Sequence, residues 1–172
     1  GITITSLDDP DITFDVQAPN NEVVNLGQLI ARGGTVEVLA GTIRHSGEIN
    51  ADALSVDEHG RVSLVASNRI ETAAQSTITA NNEHGGSGGT VRVEAINSDE
   101  TLASSVMLSG EIHADGETGG TVHVLAEEIQ TIAATVTADG ESAGGQVRVG
   151  GDLQGAATLQ TAANTKIDDD TT

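Results

Sequence analysis

One short segment recurs five times along the chain, and this repeat constrains the possible folds more than any other feature. Its copies occupy residues 33–40, 60–66, 88–95, 119–126 and 144–151. The equivalent valines Val36, Val62, Val91, Val122 and Val147 are separated by 26, 29, 31 and 25 residues. A period of this length is typical of repeat architectures, in which each unit is one supersecondary element that stacks on the next.

Each copy alternates between apolar and polar residues, which is the period of a β-strand. In the third copy, Val91, Val93 and Ala95 are expected to share one face, while Arg92 lies on the other. The positions equivalent to Arg92 are polar and mixed in charge: Glu37, Ser63, His123 and Arg148. The pattern therefore predicts strands with an apolar inner face and a solvated outer face.

A second segment lies between the copies of the first, with an apolar residue, an Ala two places later and, in the last four of its five copies, then Asp or Asn. It occupies residues 27–31, 47–52, 76–81, 110–116 and 134–140. Because Asp, Asn and Gly tolerate positive φ, its end predicts a turn. A weaker apolar position follows the first segment, near Ile43, Ile70, 102–107 and 129–132. One unit thus holds two to three short strands.

A single strand with Val and Ala on one face cannot bury that face, but parallel stacking of successive units can. The sequence therefore predicts an all-β parallel β-helix, a solenoid of about six coils, as a single domain over residues 1–172. Residues 1–32 would form an irregular first coil, 33–151 the regular coils and 152–172 an incomplete last coil. Sandwich and barrel folds are disfavoured, because they are usually built from antiparallel hairpins.

Composition narrows the function classes. The chain has no Trp, Tyr or Cys and one Phe, so its core must be made of small aliphatic residues. The formal net charge is −19, from 26 acidic and seven basic residues. Phosphate backbones and anionic membrane surfaces would repel such a chain. No apolar run is long enough to span a membrane. We expect neither nucleic-acid binding nor membrane insertion.

Calcium is the one cofactor that the pattern suggests. Four residues fall at the same point of successive units and would form a polar row along one edge: Asp52, Asn81, Asp115 and Asp139. Oxygen ligands of this kind suit calcium. However, the nonapeptide calcium-binding repeat Gly-Gly-x-Gly-x-Asp is absent. The same residues are also good turn formers, so a purely structural role stays open.

Catalytic groups are not evident, and we expect no enzymatic activity. The carboxylate pairs Asp8–Asp9, Asp57–Glu58 and Glu127–Glu128 are interpreted as solvated surface rather than as a glycosidase site. The histidines are interpreted as exposed residues near turns: His45, His59, His84, His113 and His123. A zinc site would require His113, Asp115 and His123 to converge.

An ice-binding surface would need a regular ladder of Thr-x-Thr pairs. Thr77 with Thr79 and Thr135 with Thr137 fit such a ladder. The equivalent pairs, Glu48 with Asn50 and Glu111 with His113, do not. The sequence therefore disfavours ice binding.

Residues 25–36, 110–122 and 144–155 resemble coils found in two-partner secretion exoproteins, the filamentous-haemagglutinin-like large adhesins. The resemblance extends over nearly the whole chain from about Val23. It implies a right-handed β-helix, export through an outer-membrane transporter partner, and a role in adhesion, aggregation or biofilm. The secretion domain of that family, with its Asn-Pro-Asn-Gly-type signature, is absent from this sequence. We therefore do not expect this piece alone to engage a transporter.

Three function hypotheses follow. The first is an extracellular structural or adhesive β-helix segment of a bacterial surface protein, continuing into a longer chain. The second is a self-assembling extracellular fibre subunit that stacks head to tail. The third and weakest is a carbohydrate-active β-helix enzyme, which the lack of Tyr and Trp disfavours. The sequence does not name a host or cell-surface ligand.

Overall fold

The computed structural model describes residues 2–5, 13–18, 23–96, 103–151 and 159–172, and these contain 14 strands. No helix occurs among the described residues, and hence none that could cross a membrane. The strands are β1 (Ile2–Thr5), β2 (Thr13–Gln17), β3 (Val23–Ile30), β4 (Thr35–Asn50), β5 (Arg61–Thr72), β6 (Thr77–Thr79), β7 (Thr90–Ala95), β8 (Ser105–His113), β9 (Gly116–Thr118), β10 (Thr121–Leu125), β11 (Glu128–Thr137), β12 (Gly140–Ala143), β13 (Gln146–Val149) and β14 (Asn164–Ile167).

Among the described residues all the strand pairs are parallel, and all but one of them belong to three ladders. The first ladder joins β2, the start of β4, the start of β5, β7, β10 and β13. The second joins the start of β3, the middle of β4, the end of β5, the start of β8, the start of β11 and β14. The third joins β1, the end of β3, the end of β4, β6, the end of β8 and the end of β11. Separately, β9 pairs with β12.

The first ladder aligns the five copies of the repeat. Val36 pairs with Val62, Val62 with Val91, Val91 with Val122, and Val122 with Val147. Within the ladder, Val36, Val62, Val91 and Val122 are fully buried. The prediction that equivalent valines lie over one another on parallel neighbours is therefore confirmed.

The other two ladders contribute matching apolar columns to the same core. In the second ladder the column is Val24, Ile43, Ile70, Val106 and Ile129. In the third ladder it is Leu29, Ile49, Ile78 and Ile112. These side chains are buried and belong to one hydrophobic cluster. Aliphatic side chains suffice to fill this core, because each one is covered by an aliphatic side chain of the next layer rather than by a large aromatic ring.

Glycines let the chain turn tightly from the third ladder into the first. A Cβ on Gly89 would lie 2.1 Å from the carbonyl oxygen of Gly60. A Cβ on Gly120 would lie 2.2 Å from the carbonyl oxygen of Gly89. The same oxygens accept the amide hydrogens of Thr90 and Thr121 at 3.0 and 2.9 Å. The second glycine of the repeat is thus required by close backbone stacking.

Strand lengths differ from the sequence expectation of short strands. β4 runs for 16 residues and belongs to all three ladders. It bends at irregularities in register near Ala40–Thr42 and opposite Leu26–Gln28, which allow a strand to turn without ending. As a result β4, β5, β8 and β6 close a ring of hydrogen-bonded neighbours, with other strands bonded outside it. The all-β class and the parallel pairing are confirmed; handedness and coil number remain predictions.

Candidate functional site

The four predicted calcium candidates meet in one row at the corner after the third ladder. Each follows an aligned apolar residue by three positions, so the register that stacks the strands also stacks these side chains. We call this set the Asx row, because its members are Asp or Asn: Asp52, Asn81, Asp115 and Asp139.

Side-chain oxygens of the Asx row accept backbone hydrogens from the next layer. The Asn81 amide donates to Asp52 Oδ1 at 2.7 Å, and the Asp115 amide donates to Asn81 Oδ1 at 2.8 Å. The Asp139 amide donates to Asp115 Oδ1 at 2.7 Å. Each of these three oxygens therefore accepts the hydrogen of a backbone amide at a turn. The hydrogen bonds of the ladder leave that amide without an acceptor.

The second carboxylate oxygens of Asp52 and Asp115 also have protein donors. Asp52 Oδ2 accepts a hydrogen bond from Asn50 Nδ2 at 2.9 Å, and Asp115 Oδ2 accepts one from Thr137 Oγ1 at 2.9 Å. Within the described ranges, no group of three or more His, Asp or Glu side chains is placed to hold a metal ion. Protein donors thus occupy both carboxylate oxygens of Asp52 and of Asp115, and calcium binding stays a prediction.

His113 extends this network on the outer face of the third ladder. Its Nδ1 lies 2.8 Å from Thr137 Oγ1 and 3.6 Å from Asp115 Oδ2. Since the Thr137 hydroxyl has one proton and directs it at Asp115, the ring must donate from Nδ1. His123 lies in the first ladder, in register with Arg92 and Arg148. The convergence that a zinc site would need is therefore not formed.

A shallow groove runs beside the Asx row. Five carboxylates line it: Glu83, Asp115, Glu117, Asp139 and Glu141. The Ser142 hydroxyl donates a hydrogen bond to Glu117. Among the described residues, no aromatic side chain lines this groove. It lacks the stacking platform that sugar recognition usually employs.

Two of the carboxylate pairs named in the sequence contain a residue that holds a loop. Glu58 Oε2 accepts the amide hydrogen of Leu54 at 2.8 Å. Glu127 Oε2 accepts the amide hydrogen of Ser104 at 3.0 Å, and the Glu127 amide donates back to Ser104 Oγ at 3.1 Å. The pair Asp8–Asp9 lies outside the described residues. In Glu58 and in Glu127, one carboxylate oxygen therefore accepts a backbone amide hydrogen.

Asn82 is a structural residue that the sequence pattern did not single out. It is 2% exposed. Its Nδ2 donates to the carbonyls of Ser55 and Glu58 at 3.0 and 3.1 Å. Its Oδ1 accepts the amide hydrogens of His84 and Gly86 at 3.0 and 3.2 Å. One side chain therefore holds the loop of the preceding unit and its own turn. The Asn81-Asn82 dipeptide at the end of the second segment is the sequence feature that could have indicated this role.

The expectation that all five histidines are exposed is wrong for His45. This residue is 1% exposed and is paired in register with Leu26 and Thr72. Its column faces the core, so the alternation of β4 buries it. Burial lowers the pKa of His45 below its usual value of 6.5, against the opposing effect of the Thr77 and Leu26 backbone carbonyls.

The threonine pairs do not form a continuous surface. Thr77 and Thr79 lie in register between Glu48 and Asn50 on one side and Glu111 and His113 on the other. The pair Thr135 and Thr137 lies in the layer after Glu111 and His113. The regular Thr-x-Thr ladder needed for ice binding is therefore interrupted.

Comparison with protein-family models, with curated proteins and with solved structures gives no match to this chain. The functional assignment therefore depends on the residues themselves.

Proposed function

We propose that this chain is a segment of a secreted, right-handed parallel β-helix that serves as a structural and adhesive rod on a bacterial cell surface. The observation that carries the proposal is the set of in-register apolar columns across three parallel ladders. A chain that visits the three ladders in turn and returns one layer further along describes a solenoid.

The layer count supports about six coils. Each ladder contains six strands within the described residues. At ~4.8 Å per layer the body is roughly 30 Å long. A body of this kind becomes longer when further units are added. That property suits a shaft that holds binding surfaces at a distance from the cell.

The chemistry of the outer surface fits a binding and spacing role better than catalysis. The acidic groove beside the Asx row is lined by carboxylates without an aromatic platform among the described residues, and Glu58 and Glu127 bind backbone amides. Export through an outer-membrane transporter partner, and location outside the cell, follow from the family resemblance. In this proposal the parent protein supplies the transporter contact.

Attachment of coated beads tests the adhesive role. Beads carrying the chain are expected to clump with one another or to bind bacterial or host cell surfaces more than uncoated beads do. A matched control carries Val91→Asp, which places a charge in the fully buried valine column and should prevent stacking. Circular dichroism establishes which preparations are folded.

Attachment that requires the folded chain supports the proposal. Equal attachment by folded chain and by the Val91→Asp variant would contradict it, because adhesion would then not depend on the rod. If the folded chain attached to none of the tested surfaces, that result would also contradict the adhesive role.

A further inference from the structure

The outer side of the first ladder carries a basic surface in a strongly acidic chain. On residues 61–66 of β5 and on β7, β10 and β13, every ionisable residue except Glu94 is basic. We call this surface the basic face, and its members are Arg61, Arg92, His123 and Arg148. Glu94 is only 6% exposed, and its Oε2 accepts a hydrogen bond from Arg92 Nε at 2.9 Å. The accessible charge of the basic face is therefore positive.

Carboxylates line the groove beside the Asx row in the same layers as the basic face. We call three of them the acidic column: Glu83, Glu117 and Glu141. Each follows a member of the Asx row by two positions, and hydrogen bonds place those members in successive layers. The strands that come next in the chain are β7, β10 and β13, which carry most of the basic face. Acidic and basic side chains therefore recur in the same three layers.

Both surfaces lie on the sides of the stack. Side chains that point outward from a ladder are perpendicular to the stacking direction, so layers added above or below them leave them accessible. Both surfaces also repeat at the same spacing of ~4.8 Å, because both follow the parallel ladders. Two stacks that lie side by side can therefore match several acidic and basic side chains at once.

We infer that copies of this chain associate side by side, with the acidic column of one copy against the basic face of another. This inference rests on the proposed function, and it names a second copy as the partner in aggregation. Stacks that point the same way and lie in register bring Glu83 close to Arg92, and Glu141 close to Arg148. Attraction between opposite charges on the two surfaces selects this arrangement over contact between like surfaces.

Repetition along the stack gives the contact its strength. One exposed ion pair contributes little on its own. Each further layer adds another pair to two stacks that are already held together, so weak contacts sum to an appreciable avidity. The contact is heterologous, so each copy can bind one neighbour through its basic face and another through its acidic column.

The net charge of −19 opposes the approach of two copies. The measurement therefore belongs at physiological ionic strength, where the Debye length is about 8 Å. Screening at this length weakens the long-range repulsion more than it weakens contacts between touching side chains.

Reversal of charge on either surface tests the contact. Arg61→Glu/Arg148→Glu reverses the basic face, and Glu83→Lys/Glu141→Lys reverses the acidic column. Sedimentation velocity of the wild-type chain is expected to show oligomers that grow with concentration. Each variant alone is expected to be monomeric, because its two surfaces then carry charge of the same sign. Circular dichroism establishes that each variant is folded.

Net charge alone predicts the opposite result for the acidic column. Each reversal changes the charge by two, so Glu83→Lys/Glu141→Lys reduces the net charge from −19 to −15. General repulsion between copies is then weaker, and association should increase if repulsion alone controls it. Loss of oligomers in this variant therefore reports the contact itself.

A matched control accompanies the variant of the basic face. Arg44→Glu/Lys166→Glu brings the net charge from −19 to −23, as Arg61→Glu/Arg148→Glu does. Arg44 and Lys166 lie on the second ladder, away from the basic face. This control is expected to form oligomers as the wild-type chain does.

Mixing the two reversed variants completes the test. The mixture is expected to restore oligomers, because each variant then meets surfaces of opposite charge on the other. A monomeric wild-type chain, oligomers in either reversed variant alone, or a mixture that stays monomeric would overturn the inference. Binding of a monomeric wild-type chain to immobilised dextran sulfate, lost in Arg61→Glu/Arg148→Glu, would assign the basic face to an anionic polymer instead.

Failure of this inference can be told apart from failure of the proposed function. If the wild-type chain is monomeric while beads that carry it bind cell surfaces, only the side-by-side association fails. If beads that carry the folded chain neither clump nor bind cells, the proposed function fails as well.

Discussion

His45 is an ionisable group that faces the core, in register with Leu26 and Thr72, and its protonation opposes folding. Burial holds the pKa of His45 below 6.5, and its Nε2 lies 3.3 Å from the carbonyl oxygen of Thr77. A lowered pKa means that the unfolded chain takes up the proton first as the pH falls. The stability associated with neutral His45 is therefore fully present above about pH 6.5 and is lost as the pH falls from there toward the folded-state pKa.

Urea unfolding between pH 7.5 and pH 5 checks this effect. We expect the free energy of unfolding of the wild-type chain to fall across this window. The variant His45→Leu, which matches Leu26 in the same column, should show a smaller fall because the buried titrating group is gone. An identical pH dependence in the two proteins would exclude His45 as its source.

Gly120 tests the stacked turn between the third and first ladders. Gly120→Ala places a methyl group 2.2 Å from the Gly89 carbonyl oxygen, so backbone must move. We expect a destabilisation of about 1–3 kcal/mol in urea unfolding. Gly144→Ala is the control, because a Cβ at that position would meet no described heavy atom within 4 Å beyond its own chain neighbours. Similar losses in both variants would contradict the stacking explanation.

At the scale of elements, the Asx row links the turns of successive layers. Asp115→Ala removes the acceptors of the Asp139 amide and the Thr137 hydroxyl. Because the row is only partly buried, we expect a loss of about 1 kcal/mol. Asp115→Asn keeps one oxygen for the Asp139 amide and should lose less. Thermal or urea unfolding measures both, and equal losses would argue against the acceptor role.

Calcium addition and removal test the alternative role of the Asx row. Because Asp52 and Asp115 already accept protein donors on both oxygens, we expect the melting temperature to be the same with calcium and with a chelator. A rise in melting temperature with calcium that Asp115→Asn abolishes would instead establish a calcium site.

At the scale of the whole molecule, charge is segregated between sides. Residues 46–60, 73–89, 109–120 and 132–145, which include four of the third ladder's six strand segments and their turns, contain ten acidic residues and no Lys or Arg. Six of the seven basic residues lie on strands of the first two ladders: Arg44, Arg61, Arg69, Arg92, Arg148 and Lys166. Stacking layers in register therefore concentrates like charge on one side of the molecule.

Salt dependence of unfolding measures this self-repulsion. Sodium chloride should raise the melting temperature by several degrees, because screening weakens repulsion among acidic residues in the folded stack. The triple variant Glu83→Gln, Glu111→Gln and Glu141→Gln should be more stable at low salt and respond less to salt. An unchanged salt response in this variant would show that the acidic side is not its source.

The apolar period and the repeat could be read from the sequence alone. They predicted strands, parallel stacking, and the partners of Val62 and Val91, because alternation and spacing are local properties that any layered packing must obey. The same spacing predicted that Asp52 and Asp115 would share one row. What that row does could not be read from spacing, since turn formation and cation binding use the same oxygens.

The tertiary structure alone decided the remaining features. It decided that β4 continues around two corners, that His45 faces the core and that Asn82 holds a loop of the preceding unit. It also decided which oxygens of the Asx row meet backbone donors. Each depends on contacts between residues that are distant in the sequence, such as His45 with Leu26 or Asn82 with Ser55, which local patterning does not specify. The sequence by itself determined which residue types recur from unit to unit. The packing of one layer on the next determined the environment of the residues that depart from the repeat, such as His45 and Asn82.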